Sequence, residues 1–264
     1  MPDDFAEAFA SGRSRLGRLG SRILYFPVIG STNDVAATLA IHGSSEGTVV
    51  IADMQTAGRG RRGREWFSPP GSGLYVSVVL RPGQLRVGGD RATRLLTLAA
   101  GVALAEAVAT ATGLTVDVKW PNDLYIARHK LAGILAEAAG SGSDEPIVLG
   151  YGINVSQTAY PPELRDRATS LESELGRRVD RALLLVESLA SLAARYDDLL
   201  EGRFDAILDA WRPRAPGSTG ARVTWSTASG ASTGVTAGID GDGALLVLVG
   251  ERIERIVAGE VTWL

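Results

Sequence analysis

Apolar residues recur along the chain with two different periods, and the change of period marks the elements. Ile23–Val28, Thr48–Asp53 and Leu74–Leu80 read as strands, short and rich in β-branched residues. Gly30-Ser31-Thr32-Asn33 supplies cap-type residues before a helix of about ten residues that stops near Gly43. Asp90–Gly113 carries helical spacing and ends on glycine, and its apolar stretch Leu95–Leu114, interrupted by Glu106, reads as a buried helix rather than a membrane span. Thr115–Trp120 alternates as a strand until Pro121-Asn122-Asp123 breaks it. Leu131–Glu137 and Ile147–Val155 predict a hairpin across the turn-rich Gly140–Pro146. Helical spacing returns at Asp180–Glu201, with Asp180 as its cap, and continues through Phe204–Trp211.

Beyond the linker Pro213–Gly220 the period becomes that of short strands: Ala221–Trp225, Ser232–Ile239, Ala244–Val249 and Arg252–Val257. Roughly forty-five residues of such strands, separated by turns such as Asp240-Gly241-Asp242-Gly243, predict a small β-barrel. The pattern therefore divides the chain into an arm or short helix (1–22), a mixed main domain (23–214) and a small β domain (215–264). Helices interspersed with hairpins make the class α+β. No repeat is visible.

Composition narrows what such a protein does. The 264 residues are 45% hydrophobic and 22% charged, as in an ordinary globular chain, and the net charge of −3 gives no global field for nucleic acid or anionic lipid. The absence of cysteine excludes disulfides, thiolate catalysis and cysteine-ligated zinc, and His42 and His129 are too few for a histidine-rich metal site. Met1–Arg22 lacks the apolar core of a secretory signal, so a cytoplasmic protein is expected. The basic residues are nearly all arginine. Lysine occurs only at 119 and 130, and asparagine only at 33, 122 and 154, which singles these out as positions where arginine or a small residue will not serve.

Candidate chemistry concentrates in Gly58-Arg59-Gly60-Arg61-Arg62-Gly63-Arg64, four guanidinium groups in seven residues with no acid before Glu65. Such a cluster repels itself, and an anionic ligand relieves that cost. The string fits G-x-G-x-x-G, but it runs into Trp66, Phe67 and two prolines instead of a helix, and no ribose-binding acid follows at about twenty residues. It lacks the G-K-[ST] of a phosphate P-loop. A merely solvated basic loop is the plain alternative.

Further motifs follow in a fixed order: Gly30–Asn33, Gln55-Thr56-Ala57, Lys119-Trp120-Pro121-Asn122-Asp123, Lys130–Leu135, Gly152-Ile153-Asn154-Val155, Gly238–Gly243 and Ala258-Gly259-Glu260-Val261. In this order, over residues 22–264, the chain resembles the biotin–protein ligases. The resemblance implies a class II aminoacyl-tRNA synthetase-like catalytic domain with a mixed sheet and a small SH3-like C-terminal barrel. It implies formation of biotinyl-5′-adenylate from biotin and Mg·ATP, then transfer to one lysine of a biotin carboxyl carrier domain. Residue by residue, Ser31, Thr32, Asn33, Gln55, Gly58, Arg59, Gly60, Arg61 and Lys130 would meet biotin. Arg61, Arg64, Trp66, Lys119, Asn122, Lys130 and Asn154 would meet ATP or the adenylate. Lys130, Arg61 and Asp123 would act in catalysis, with Asp123 near magnesium. Many bacterial relatives carry a DNA-binding winged helix of about sixty residues ahead of the Ser-Thr-Asn segment; thirty residues precede Ser31 here, so no repressor function is expected. Monomer and homodimer remain equally open.

Plainer roles stand beside these. Ser31 could serve only as a helix cap, Trp120 as core or pocket wall, Asn154 as a turn residue, Lys119 as a strand-edge charge and His129 as a solvated turn residue. Tyr151, between two glycines, is an unusual bulk. The rival functions are a lipoate– or octanoyl–protein ligase, a nucleic-acid binder using the basic loop, and a non-catalytic carrier-binding scaffold.

Overall fold

The computed structural model describes residues 1–84, 88–140, 145–156, 160–227, 230–259 and 261–264. The expected turn at 141–144 and Glu260 of the last motif lie outside them. The chain begins with helix α1 (Asp3–Gly12), strand β1 (Arg22–Ile29), helix α2 (Thr32–Ile41) and strands β2 (Thr48–Gln55) and β3 (Gly73–Leu80). Helix α3 (Gly89–Thr112) precedes β4 (Asp117–Lys119), β5 (Asp123–Ile126), β6 (His129–Ala138) and β7 (Ile147–Asn154). Short helices α4 (Pro162–Arg165) and α5 (Leu171–Leu175) lead to α6 (Arg181–Leu200) and α7 (Phe204–Trp211). Strands β8 (Thr219–Thr227), β9 (Gly230–Ile239), β10 (Leu245–Val249), β11 (Arg252–Ile256) and β12 (Val261–Trp263) complete the chain.

The main sheet runs β1-β2-β3-β7-β6-β5-β4, with β1 and β2 parallel and every other pair antiparallel. The fold is thus α+β with a mixed sheet. Strand β3 is buried along its whole length, and its alternation assigns the two faces. Leu74, Val76, Val78 and Leu80 join the large core with α3 and α6, whereas Val79 packs under α2 with Ala36, Ala40, Val50 and Val148. Helix α3 is long and apolar enough to cross a membrane, but 67% of its most apolar stretch is buried inside the protein. It is the central core helix, and Glu106, within that stretch, faces Arg195 and Arg214 at 3.5 Å. Asp180 caps α6 as its position predicts, accepting from the amides of Ala182 and Leu183 at 2.9 Å.

Three local expectations change. The alternating stretch before Pro121 forms a ladder only over Asp117–Lys119, and a short strand, β5, follows immediately where the sequence suggests only a break. Tyr151 is not crowded between its glycine neighbours. As an odd-numbered residue of β7 it points to the opposite face, where its hydroxyl meets Ser188 Oγ at 2.7 Å. Burial holds that phenol well above its usual range. The five C-terminal strands form an antiparallel sheet in the order β11-β10-β9-β8-β12. Among the described residues no ladder joins β11 to β12, so the sheet is open there and closure of the predicted small barrel is not seen. Val223, Leu245, Val247 and Val261 nevertheless share the large core with the main sheet.

Candidate active site

One face of the main sheet becomes a cleft because three of its residues have no side chain. Gly133 on β6 pairs with Gly152 on β7, and Gly150 lies two residues along the same face. A methyl group added at Gly150 would lie 1.9 Å from Asn33 Oδ1, and one at Gly152 would lie 2.3 Å from the Trp66 indole nitrogen. At Gly133 it would meet Trp66 at 2.9 Å and the Lys130 side chain at 3.2 Å. These glycines let the Trp66 ring and the start of α2 lie directly on the strands. The resulting cleft has a volume of about 520 Å³.

The cleft has a neutral polar end at the start of α2. Ser31 occupies the N-cap position with extended backbone (φ −149°), yet its hydroxyl makes no capping bond. Gln55 replaces it: its side-chain oxygen accepts from the Thr32 amide at 2.8 Å and from the Thr32 hydroxyl at 3.1 Å. Gln55 is itself fixed by donating to Ser68 Oγ at 2.9 Å. Ser77, the polar residue of β3 on this face, donates to Asn33 Oδ1 at 2.6 Å, and Asn33 donates to Glu137 at 3.0 Å. Ser31 Oγ is buried without a hydrogen-bond partner, and so is the Trp66 indole nitrogen. Both groups line the cleft and are available to a ligand.

The other end is cationic. Lys130 Nζ contacts Asp123 Oδ1 at 2.7 Å and lies 5.5 Å from the centre of the Trp66 ring. Its main chain is held on both sides, donating to Arg167 O at 2.8 Å and accepting from the Thr169 amide at 3.0 Å. Arg61 donates to Asn122 Oδ1 at 3.0 Å and to Gly259 O at 3.3 Å, which ties the arginine loop to the C-terminal sheet. Asn122 donates in turn to Ile134 O at 2.7 Å. Lys119 Nζ lies 4.8 Å from the Tyr125 ring centre and 4.6 Å from that of Trp263, within cation–π range. Burial pushes the Tyr125 hydroxyl up to about 12, so the ring stays neutral beside the lysine at physiological pH. Asn154 donates to Thr169 O at 3.0 Å.

Ser31, Thr32, Asn33, Gln55, Arg59, Gly60, Arg61, Arg64, Trp66, Lys119, Asn122, Asp123, Lys130 and Asn154 all line this one cleft. Gly58 does not. It is buried behind the loop, where a methyl group would lie 2.4 Å from Trp66 O, and its carbonyl accepts from the Trp66 amide at 2.9 Å. Arg59 turns its guanidinium to Asp34 and Glu137, each at 2.5 Å. The acid-free loop of the sequence therefore acquires two carboxylates in three dimensions. Tyr125, Tyr160, Arg167 and Trp263 also line the cleft, and no motif marks them. Trp120 is a buried wall residue, donating from its indole to Gly243 O at 2.9 Å.

No group of three or more metal-ligating side chains occurs among the described residues. Asp123, a carboxylate at the cationic end, suits magnesium, a hard ion that takes one or two carboxylates and draws its remaining ligands from phosphates and water.

Residues 25–154 match the biotin/lipoate A/B protein ligase family. The bifunctional ligase/repressor BirA of Bacillus spizizenii is 38% identical over 246 residues, covering 92% of this chain and 74% of that protein. The biotin–[acetyl-CoA-carboxylase] ligase of Paracoccus denitrificans is 37% identical over 238 residues, 88% of this chain and 96% of that one. The chain belongs to the biotin–protein ligase family. Its fold superposes on the biotin protein ligase of Aquifex aeolicus, solved in complex with biotin and ATP, with a TM-score of 0.79 and 31% identity, over 92% of this chain and 98% of that one.

Proposed function

We propose that this ligase forms biotinyl-5′-adenylate from biotin and ATP and transfers the biotinyl group to a lysine of a biotin carboxyl carrier domain. The observation that carries this reading is the polarity of the cleft: an uncharged hydrogen-bonding slot with an unpartnered serine at one end, and Lys130 with Asp123 at the other. Biotin has the matching shape, a neutral ureido ring system joined by an apolar chain to a carboxylate. In this reading Ser31, Thr32, Asn33 and Gln55 receive the ring end, and the Trp66 ring, seated on Gly133 and Gly152, forms a wall along the chain. Lys119, Asn122, Arg61, Arg64 and Asn154 surround the nucleotide. The seven-stranded unit then corresponds to a class II synthetase-like catalytic domain, and the open five-stranded sheet to its SH3-like module.

Joining a carboxylate to a phosphate is opposed by charge repulsion and by alignment. Lys130, a compact point charge, can touch both the carboxylate and the α-phosphate and follow negative charge as it moves between them. Arg61 and Arg64 neutralise the phosphates. Magnesium, held through Asp123 and phosphate oxygens, would supply further neutralisation of the departing pyrophosphate. In the second step the carrier lysine's amine attacks the acyl carbon, the C–N bond forms and AMP leaves. No nucleophile from the chain is required, and orientation dominates.

The test is biotin-dependent exchange of labelled pyrophosphate into ATP, repeated with lipoate. Exchange driven by biotin is expected. Exchange driven by lipoate in preference to biotin would move the chain to the lipoate branch of the family, and no exchange with either acid would overturn the reading.

A further inference from the structure

The carboxylate of Glu137 stands where two halves of the site meet. One oxygen accepts from Asn33 Nδ2 at 3.0 Å, at the neutral end of the cleft. The other accepts from Arg59 at 2.5 Å, on the arginine loop. Arg59 also reaches Asp34 in the first turn of α2 at 2.5 Å. Asn33 is buried and is held from its opposite side by Ser77 on the central strand β3. The loop is thus connected to the rigid sheet through Arg59, Glu137 and Asn33, and this is a ring of charged and amide groups in which each member fixes the next.

We propose that Glu137 is a positioning residue that latches the arginine loop over the acyl group, so that it sets how long biotin and its adenylate are retained rather than how fast they react. This rests on the adenylate-forming reading above. Arg59 then serves as the loop's anchor instead of a ligand contact, and it is Arg61, donating to Asn122 and Gly259, that faces the reacting end. Glu137 lies on β6 seven residues from Lys130, roughly 23 Å along an extended strand, too far to reach the reacting oxygens. Its effect must therefore pass through the loop and Asn33. Arg59, Asp34 and Glu137 are partly exposed, so the latch weakens with salt.

Glu137→Gln tests this with little change of shape, since the amide oxygen still accepts from Asn33 while the charge facing Arg59 is gone. The preformed biotinyl-adenylate is expected to leave about tenfold faster and KM for biotin to rise in step, with kcat for pyrophosphate exchange changed less than about threefold. Arg59→Gln is expected to do the same, and the double variant to be no worse than either single one, because both remove one link. Raised salt should speed release from the unmutated chain and leave Glu137→Gln less affected. Multiplying effects in the double variant, or a fall in kcat with unchanged release, would overturn the proposal. If Glu137→Gln melts early, Asp34→Asn, on the exposed side of the latch, gives the same readout, and unchanged release there would also count against it. Absence of exchange in the unmutated chain would remove the functional reading itself, whereas normal exchange with unaltered release in these variants would remove the latch alone.

Discussion

At the neutral end of the cleft, Thr32, Asn33, Gln55 and Ser77 already hold one another through hydrogen bonds of 2.6–3.1 Å. At the cationic end, Lys130 faces Asp123, and Arg61 faces an amide oxygen and a backbone carbonyl. The first end is set by rigid elements, the start of α2 and the centre of β3. The second is assembled from distant parts of the chain: a loop, a β-turn, a strand and the C-terminal sheet. A slot that must recognise an uncharged, fixed shape gains from preorganisation, because buried polar groups reject whatever leaves them unpaired. An end that must accept and release negative charge during a reaction gains from cations whose partners can be exchanged.

The comparison breaks most severely at Lys130. Lys130→Ala is expected to lower biotin-dependent pyrophosphate exchange by on the order of 10²-fold or more while biotin itself still binds, since the neutral end is untouched. Pyrophosphate exchange together with calorimetric titration of biotin separates the two. Near-normal exchange would show that the cationic end is not where the oxygens are aligned. Removal of Lys130 also leaves Asp123 without its cation, so the melting temperature is expected to fall slightly, and Lys130→Arg keeps the charge as a control for that loss.

The neutral end gives an effect of the opposite character. Ser31 Oγ is buried and unpartnered, so the free protein carries the cost of an unsatisfied hydroxyl. Ser31→Ala is expected to leave the melting temperature equal or higher without ligand, yet to weaken biotin by about five- to tenfold. Thermal melts with and without biotin read both signs in one experiment. A fall in ligand-free stability would return Ser31 to the role of a simple helix cap.

How much of this was legible in the sequence depends on distance along the chain. The strands β3 and β7 were readable because their apolar runs are bounded by turns, and Lys130 and Asn122 because lysine and asparagine are scarce. The anchoring of Arg59 was not, since Asp34 and Glu137 stand 25 and 78 residues from it and enter the loop only when β6 and α2 pack together. Trp263 carries no signal: it is the last residue of a three-residue strand and reaches Lys119 only because β12 pairs with β8. Alternation on β7 explains Tyr151 only once the register fixes which face holds the glycines. Strand spacing predicted a small β module, but closure depends on whether β11 meets β12, which spacing does not determine.

The smallest effect lies in the loop between the two ends, where glycines invite an argument from backbone freedom. Gly60 has an ordinary extended conformation (φ −120°), and its amide donates to Arg64 O at 2.7 Å. The left-handed positions are Arg62 (φ 57°) and Gly63 (φ 72°). What Gly60 supplies is closeness: a methyl group there would lie 3.2 Å from Arg64 O, a contact a few tenths of an ångström too short. Gly60→Val therefore presses on the turn that aims Arg61 without forbidding it. Release of biotin and of the adenylate is expected to speed up by about threefold with an unchanged melting temperature. Stopped-flow displacement of biotin reads this directly. A large loss of stability with unaltered release would mean that Gly60 supports the fold instead of the lid. Release as fast as in Glu137→Gln would mean that the loop is held as firmly by its own turn as by its anchor on the sheet.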